Sequence, residues 1–173
     1  QADVGEIRIT HNAGVDVVVP IKTPDLDPEL ELTSEPDGIR PDEQRPDINV
    51  TLTRARLGDI DAAVIKVKSI ARAPLTINQI CLQQADGSCQ EDPLLQWDAA
   101  GRFKLCGGRT NNINDCPIAA IDEPIPFEDF QEFTVFFRPT DGNDKGRSAK
   151  ITIRSTSALH PNTVVKVIGE VCA

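Results

Sequence analysis

The sequence FTVFFRPT at residues 133–140 decides the fold class of this 173-residue chain. It is rich in aromatic and β-branched residues, and its Pro139 has no N–H for a strand ladder. Comparable runs with a period of two recur at residues 63–68, 75–82, 151–154 and 164–168. A period of two predicts strands, and many short strands without intervening helices predict an all-β, antiparallel sandwich.

Four phenylalanines mark the predicted interior of this sandwich. Side chains alternate between the two faces of a strand, so we expect Phe103, Phe133 and one of Phe136 and Phe137 to point between the sheets. The apolar fraction of 39%, together with 11 glycines and 13 prolines, is typical of a turn-rich globular protein with a sizeable core.

The charge balance argues against two classes of partner. The chain has 27 acidic and 18 basic side chains, a net charge of −9, whereas nucleic-acid-binding proteins present basic faces. The longest apolar run, residues 15–21, is interrupted by Asp16 and Pro20 and is far shorter than a bilayer span. We therefore expect neither nucleic-acid binding nor membrane insertion. The sequence begins at Gln1 and not at Met, so we expect a processed product or a piece of a longer protein.

Residues 23–47 differ in composition from the rest of the chain. They carry nine carboxylates against only Arg40 and Arg45, together with five of the 13 prolines. Because prolines stiffen a segment and like charges repel, we predict an acidic, Pro-rich linker at residues 23–45. Clustered carboxylates at a domain junction suit Ca²⁺, and a solvated spacer is the alternative interpretation.

The five cysteines indicate a compartment. Cys81 and Cys89 bracket one short loop, and Cys106 and Cys116 bracket another. Neither spacing is that of a zinc half-site, so we predict two disulfides with Cys172 left over. Other pairings stay open, because this one rests on proximity alone. Disulfides persist in oxidising surroundings, so the predicted location is extracellular, at the cell surface or periplasmic.

The N-terminal segment has the form of the C-terminal hairpin. In both, a short run of alternating Ile is followed by a turn and a Val-rich run, at residues 7–21 and at residues 151–168. We predict that residues 1–22 are the C-terminal hairpin of a preceding repeat and that residues 46–173 form the whole of the next one. The alternative is that any two hairpins look alike.

Read in order, residues 46–171 resemble the hydin-like family of immunoglobulin-fold repeats, the ASH domains, and in particular the bacterial surface type named choice-of-anchor D. The most specific parts are APLTI at 73–77 and FTVFFRPT followed by ITIRS at 151–155. Residues 5–22 fit the tail of a preceding copy. Two features depart from the pattern. The turn before APLTI reads SIAR, and the disulfide-braced insertion at 81–125 is longer than a plain repeat needs.

The resemblance implies an immunoglobulin-like antiparallel β-sandwich, preceded by the N-terminal two-strand segment and the linker. It implies a spacer or interaction module of a tandem-repeat protein and carries over no catalytic residue. Two strands cannot bury a core alone. We therefore expect the two strands either to lie on the second unit or to be completed by another subunit through strand addition, with protein partners or self-assembly through sheet edges.

Candidate sites for chemistry are few. Asp141, Asn143 and Asp144 lie close together in DGNDKG, a faint likeness to a calcium loop, but no Glu follows at the twelfth position and such a string is the usual chemistry of a hairpin turn. Calcium is thus a weak candidate, and we expect no other cofactor. The chain has no G-x-S-x-G, no Gly-rich phosphate loop and no HExxH, so we expect no enzyme.

Trp97 is the sole tryptophan and lies in the insertion. It either anchors a glycan or a protein partner, as Trp does at binding hot spots, or plugs one end of the sandwich. The predicted function is a non-enzymatic structural or interaction module outside the cytosol. The alternative is an adhesin-type domain that recognises a glycan or a protein through Trp97 and the disulfide loops.

Overall fold

The computed structural model of the protein describes residues 3–10, 14, 17–22, 27–83, 88–90, 97–141 and 146–171. Every regular element within these ranges is a β-strand. The strands are β1 (Asp3–Ile9), β2 (Val17–Lys22), β3 (Leu30–Glu35), β4 (Ile48–Ala55), β5 (Asp61–Ser69), β6 (Leu75–Gln83), β7 (Cys89–Gln90), β8 (Phe103–Cys106), β9 (Pro124–Ile125), β10 (Phe130–Phe137), β11 (Arg147–Ser155) and β12 (Asn162–Val171).

Two of the sheets form a sandwich. The front sheet has the strand order β3-β5-β10-β8, and the back sheet has the order β4-β12-β11-β6-β7, with β9 also paired to β6. Neighbouring strands are antiparallel except β12 and β4, which run parallel. One buried apolar cluster draws on both sheets. The predicted all-β, immunoglobulin-like sandwich is therefore confirmed.

Aromatic side chains fill the centre of this core. The rings of Phe103 and Phe137 meet in a tilted arrangement with their centroids 5.1 Å apart, and Phe133 belongs to the same buried cluster. The prediction for these residues is confirmed, and Phe137 is the member of its pair that points between the sheets. Phe136 lies on the opposite face of β10 and is nevertheless buried.

The predicted linker at residues 23–45 is wrong for Leu30–Glu35, which form β3. This strand pairs with β5 at the edge of the front sheet, and Leu30 and Leu32 enter the core. Its acidic residues, Glu31 and Glu35, occupy the alternate positions that face away from the core. The sandwich therefore begins well before residue 46. The linker prediction gave more weight to the charge of this segment than to its two-residue period, which is present in the sequence.

The strands β1 and β2 make a two-stranded sheet of their own, in agreement with the predicted N-terminal two-strand segment. Their aliphatic side chains are exposed: Ile7 by 52%, Ile9 by 50%, Val17 by 48% and Val19 by 44%. In the sandwich, residues of this type at alternate strand positions are buried. The hairpin is thus formed, but its apolar face is not covered by the described part of the chain.

Gly169 provides a test of the packing between the sheets. A Cβ atom at this position of β12 would overlap the Phe137 ring. We expect Gly169→Ala to lower the free energy of unfolding by about 1–3 kcal/mol, because overpacking displaces the ring. Urea denaturation measures the loss. Phe137→Leu removes the obstacle, so the double variant should lose less stability than the sum of the two single losses. Strictly additive losses would contradict the contact.

Candidate interaction surfaces

The disulfide Cys106–Cys116 fastens a loop over the outer face of the front sheet. The two Cα atoms are 5.0 Å apart. Inside the loop, the Thr134 hydroxyl of β10 donates to the Gly108 carbonyl at 2.7 Å and accepts from the Thr110 N–H at 3.0 Å. On this face both Thr134 and Phe136 are buried. The predicted pairing of Cys106 with Cys116 is confirmed, and its loop closes this surface.

Cys81 is also disulfide-bonded. It lies on β6, and the register of β6 with β7 places Cys89 opposite Gln83. This register brings the backbone of Cys89 to the strand that carries Cys81. The side chain of Cys89 lies outside the described residues, as does Cys172, so the pairing of Cys81 with Cys89 stays a prediction.

A charged network links the disulfide loop to the rest of the front sheet. Arg109 forms ion pairs with Glu35 of β3 and with Glu132 of β10, the latter at 3.5 Å. Lys66 of β5 lies 3.7 Å from Glu132 and 4.2 Å from the centroid of the Phe130 ring. Half-exposed ion pairs of this kind contribute little stability individually. The network joins the loop to the front sheet and pairs these charges with one another.

Trp97 is half-buried beside the end of β10. The guanidinium carbon of Arg138 lies 4.0 Å from the Trp97 ring centroid, and the Arg138 Nη2 donates to the Gly101 carbonyl at 3.1 Å. The next residue, Asp98, accepts from the N–H groups of Arg102 at 2.6 Å and Phe103 at 3.2 Å. This turn holds Trp97 against Arg138. Both earlier interpretations, partner contact and plug, remain compatible with a half-buried ring.

The structure does not describe the three calcium candidates as a group. Asp141 is exposed at the end of the described range, and Asn143 and Asp144 lie outside it. Among the residues that the structure describes, no group of three or more His, Cys, Asp or Glu side chains is placed to hold a metal ion. Calcium binding therefore stays an untested expectation.

A cleft of about 800 Å³ opens on the outer face of the back sheet. Its floor is a row of side chains paired across four strands, in the order Asn49, Lys166, Lys150 and Gln83. The residues 98–100, 102 and 103 line one side. We call this the lysine cleft. Sequence reasoning missed it, because only the register of β11 with β12 places the two lysines opposite each other.

Three consecutive cross-strand pairs of the hairpin β1–β2 match three pairs of the C-terminal hairpin β11–β12, whereas the next pairs, Glu6 with Pro20 and Lys150 with Lys166, differ. In each, one face carries Ile opposite an aliphatic or threonine residue, and the other face carries a polar residue opposite Val. The matching cross-strand pairs are Ile7 and Val19 with Ile151 and Val165, Arg8 and Val18 with Thr152 and Val164, and Ile9 and Val17 with Ile153 and Thr163. The Ile face of β11–β12 is buried in the core, whereas that of β1–β2 is exposed.

The sequence matches no family model and no curated protein. Its fold is similar to solved structures. The ASH/PapD-like domain 7 of human CEP192 matches with a TM-score of 0.46 and 10% identity over 94% of this chain and 98% of that one. A protein of unknown function from Porphyromonas gingivalis W83 matches with a TM-score of 0.50 and 12% identity, over 96% of this chain and 65% of that one. A family 123 glycoside hydrolase from Clostridium perfringens matches with a TM-score of 0.41 and 13% identity, over 83% of this chain and 27% of that one.

Identities this low concern the fold alone. By its architecture the chain is an immunoglobulin-like β-sandwich. This architecture consists of two packed sheets, with β4 and β12 paired in parallel. Membership of the ASH or choice-of-anchor D family stays a prediction. Within the described ranges, no helix has the length and apolar composition that crossing a bilayer requires.

The disulfide loop gives a second prediction. Replacing Cys106 and Cys116 by Ser should lower the free energy of unfolding by about 2.5–3 kcal/mol, because the unfolded chain loses a short covalent loop. Urea denaturation of the oxidised protein and of the double variant measures the difference. Non-reducing peptide mapping should recover residues 106 and 116 in one cross-linked peptide. Free thiols at both positions in the purified protein would contradict the pairing.

Proposed function

We propose that the protein is a non-enzymatic immunoglobulin-like module of a tandem-repeat protein, in which β1–β2 belongs to a second immunoglobulin-like unit. The observation that carries this proposal is the pairwise match of β1–β2 with β11–β12. In the sandwich, β12 is bordered by β4 and β11 by β6. By analogy, β2 and β1 would be bordered by the corresponding strands of their own unit.

The energetics of the exposed hairpin favour such a partner. An isolated two-stranded hairpin is at best marginally stable in water. Covering an aliphatic side chain of the Ile or Val type contributes about 1.5–3 kcal/mol. Ile7, Ile9, Val17 and Val19 are all about half-exposed, so much of this stabilisation is still to be gained. A second layer of sheet supplies it, as the front sheet does for β11–β12.

We further propose a location in an oxidising compartment, either extracellular, at the cell surface or periplasmic. The disulfide Cys106–Cys116 and the disulfide-bonded state of Cys81 support it, because such bonds persist where thiols are not kept reduced. The sandwich then serves as a covalently braced spacer that presents its outer faces and its hairpin to neighbouring proteins.

The alternative proposal is an adhesin-type domain that recognises a glycan or a protein through Trp97 and the disulfide loops. In its favour, Trp97 keeps part of its surface accessible near the end of the sandwich. Against it, Arg138 lies over the ring and the Cys106–Cys116 loop is folded onto its own sheet. The module proposal therefore has the stronger support.

A matched pair of substitutions tests whether β1–β2 belongs to a separate unit. Ile151→Ala should lower the free energy of unfolding by about 2–4 kcal/mol, because it leaves a cavity in the core. Ile7→Ala, at the equivalent position, should leave the sandwich transition within about 0.5 kcal/mol of wild type. Thermal and urea denaturation provide the measurement. A comparable loss from Ile7→Ala would mean that the hairpin packs on its own sandwich.

Association of the protein tests the proposed role of the hairpin. Because no described residue covers the Ile face, this face is available to another copy of the chain. Sedimentation velocity should therefore detect concentration-dependent association that Ile7→Ser combined with Val19→Ser abolishes. The control is Ile39→Ser, which removes a highly exposed apolar side chain elsewhere. A monomer at all concentrations, or association that the hairpin variant leaves unchanged, would contradict the proposal.

A further inference from the structure

The lysine cleft holds two like charges that the described part of the chain does not neutralise. Lys150 of β11 lies directly opposite Lys166 of β12. Like charges directly opposite each other destabilise a sheet. Both side chains are exposed, and neither takes part in an ion pair or hydrogen bond within the described residues. Two cations without an ion-pair partner among the described residues are thus held side by side on a protein whose net charge is −9.

The carboxylates that line the same cleft are already engaged. Asp47 accepts from the Val164 N–H at 2.7 Å and pairs with Arg45 at 2.9 Å. Asp98 accepts the two backbone N–H groups of its own turn. Two further cationic residues, Arg102 and Arg147, also line the cleft. Because Arg102 and Arg147 have partners of their own, the positive charge that the described lining leaves unpaired is that of Lys150 and Lys166.

The floor beside the lysines has hydrogen-bonding side chains and no free backbone edge. Asn49 and Gln83 flank the lysine pair on the neighbouring strands, and Ser148 lies in the same cleft. At this row β12, β11 and β6 are paired on both sides, and the backbone of Asn49 in β4 exchanges two hydrogen bonds with that of Ile39, so a peptide cannot add to the sheet over the lysines. A ligand must bind through its own side groups. Amides and a hydroxyl next to two ammonium groups match a molecule that carries hydroxyl groups and anionic groups together.

We propose that the lysine cleft binds an anionic oligosaccharide, a short glycan with sulfate or carboxylate groups, seated on Lys150 and Lys166. A volume of about 800 Å³ accommodates a ligand of two or three sugar units and is in the usual size range of small-molecule sites. Anion binding also removes the repulsion between the two ammonium groups. This proposal is independent of the hairpin and of Trp97.

Isothermal titration calorimetry at low ionic strength tests the proposal with a heparin-derived sulfated disaccharide as the probe. We expect binding that weakens as salt is added, and no binding of the neutral disaccharide maltose. Lys150→Gln and Lys166→Gln should each weaken binding by about tenfold, the usual effect of losing one charge-assisted hydrogen bond. Both lysines are exposed on the sheet surface, so the variants should keep the wild-type melting temperature or exceed it.

The control is Arg154→Gln, which removes one positive charge from the same face of β11, roughly 13 Å along the strand from Lys150. It should leave the affinity unchanged. An equal loss with Arg154→Gln would reduce the effect to overall charge and overturn the proposal. No heat of binding at millimolar probe, or tighter binding of a hexaglutamate peptide than of the disaccharide, would overturn it as well.

Discussion

The apolar face of an antiparallel hairpin has to be covered by a second layer, and the rest of this chain depends on that requirement. Within the sandwich the front and back sheets satisfy it for each other, as the contact of Phe103 with Phe137 and the close approach of Gly169 to the Phe137 ring illustrate. The hairpin β1–β2 carries the same alternation with no cover in the described residues. The same requirement that holds the sandwich together is therefore the basis on which we propose the hairpin as an interaction surface.

The two outer faces of the sandwich differ in how far they are covered. The candidate binding site lies on the less covered face. On the front sheet, the Cys106–Cys116 loop is hydrogen-bonded to Thr134, and Arg109 of the loop pairs with Glu35 and Glu132. On the back sheet, the lysine cleft stays open. The Cys106–Cys116 part of the insertion thus covers its own sheet, while residues 98–100, 102 and 103 of the same insertion line the cleft that contains the two lysines.

Local periodicity predicted the fold class, the strands and the orientation of the phenylalanines, because these depend on neighbours a few residues away. It failed at Leu30–Glu35, where four charged or polar residues obscured the alternation of Leu30 and Leu32. Local periodicity could not predict the lysine cleft, because Lys150 and Lys166 become neighbours only through strand register. Register also turned the vague likeness of two hairpins into a correspondence of individual pairs, which no reading of the sequence by itself provides.

The central claim is that β1–β2 and the sandwich are separate cooperative units with equivalent hairpins. Native-state amide hydrogen exchange of the whole chain tests it most directly, because it reports the opening free energy of each strand. We predict that amides of β11 and β12 exchange only through global unfolding, whereas those of β1 and β2 exchange through a local opening of much lower free energy. Equal protection of the two hairpins, falling together with denaturant, would contradict the account.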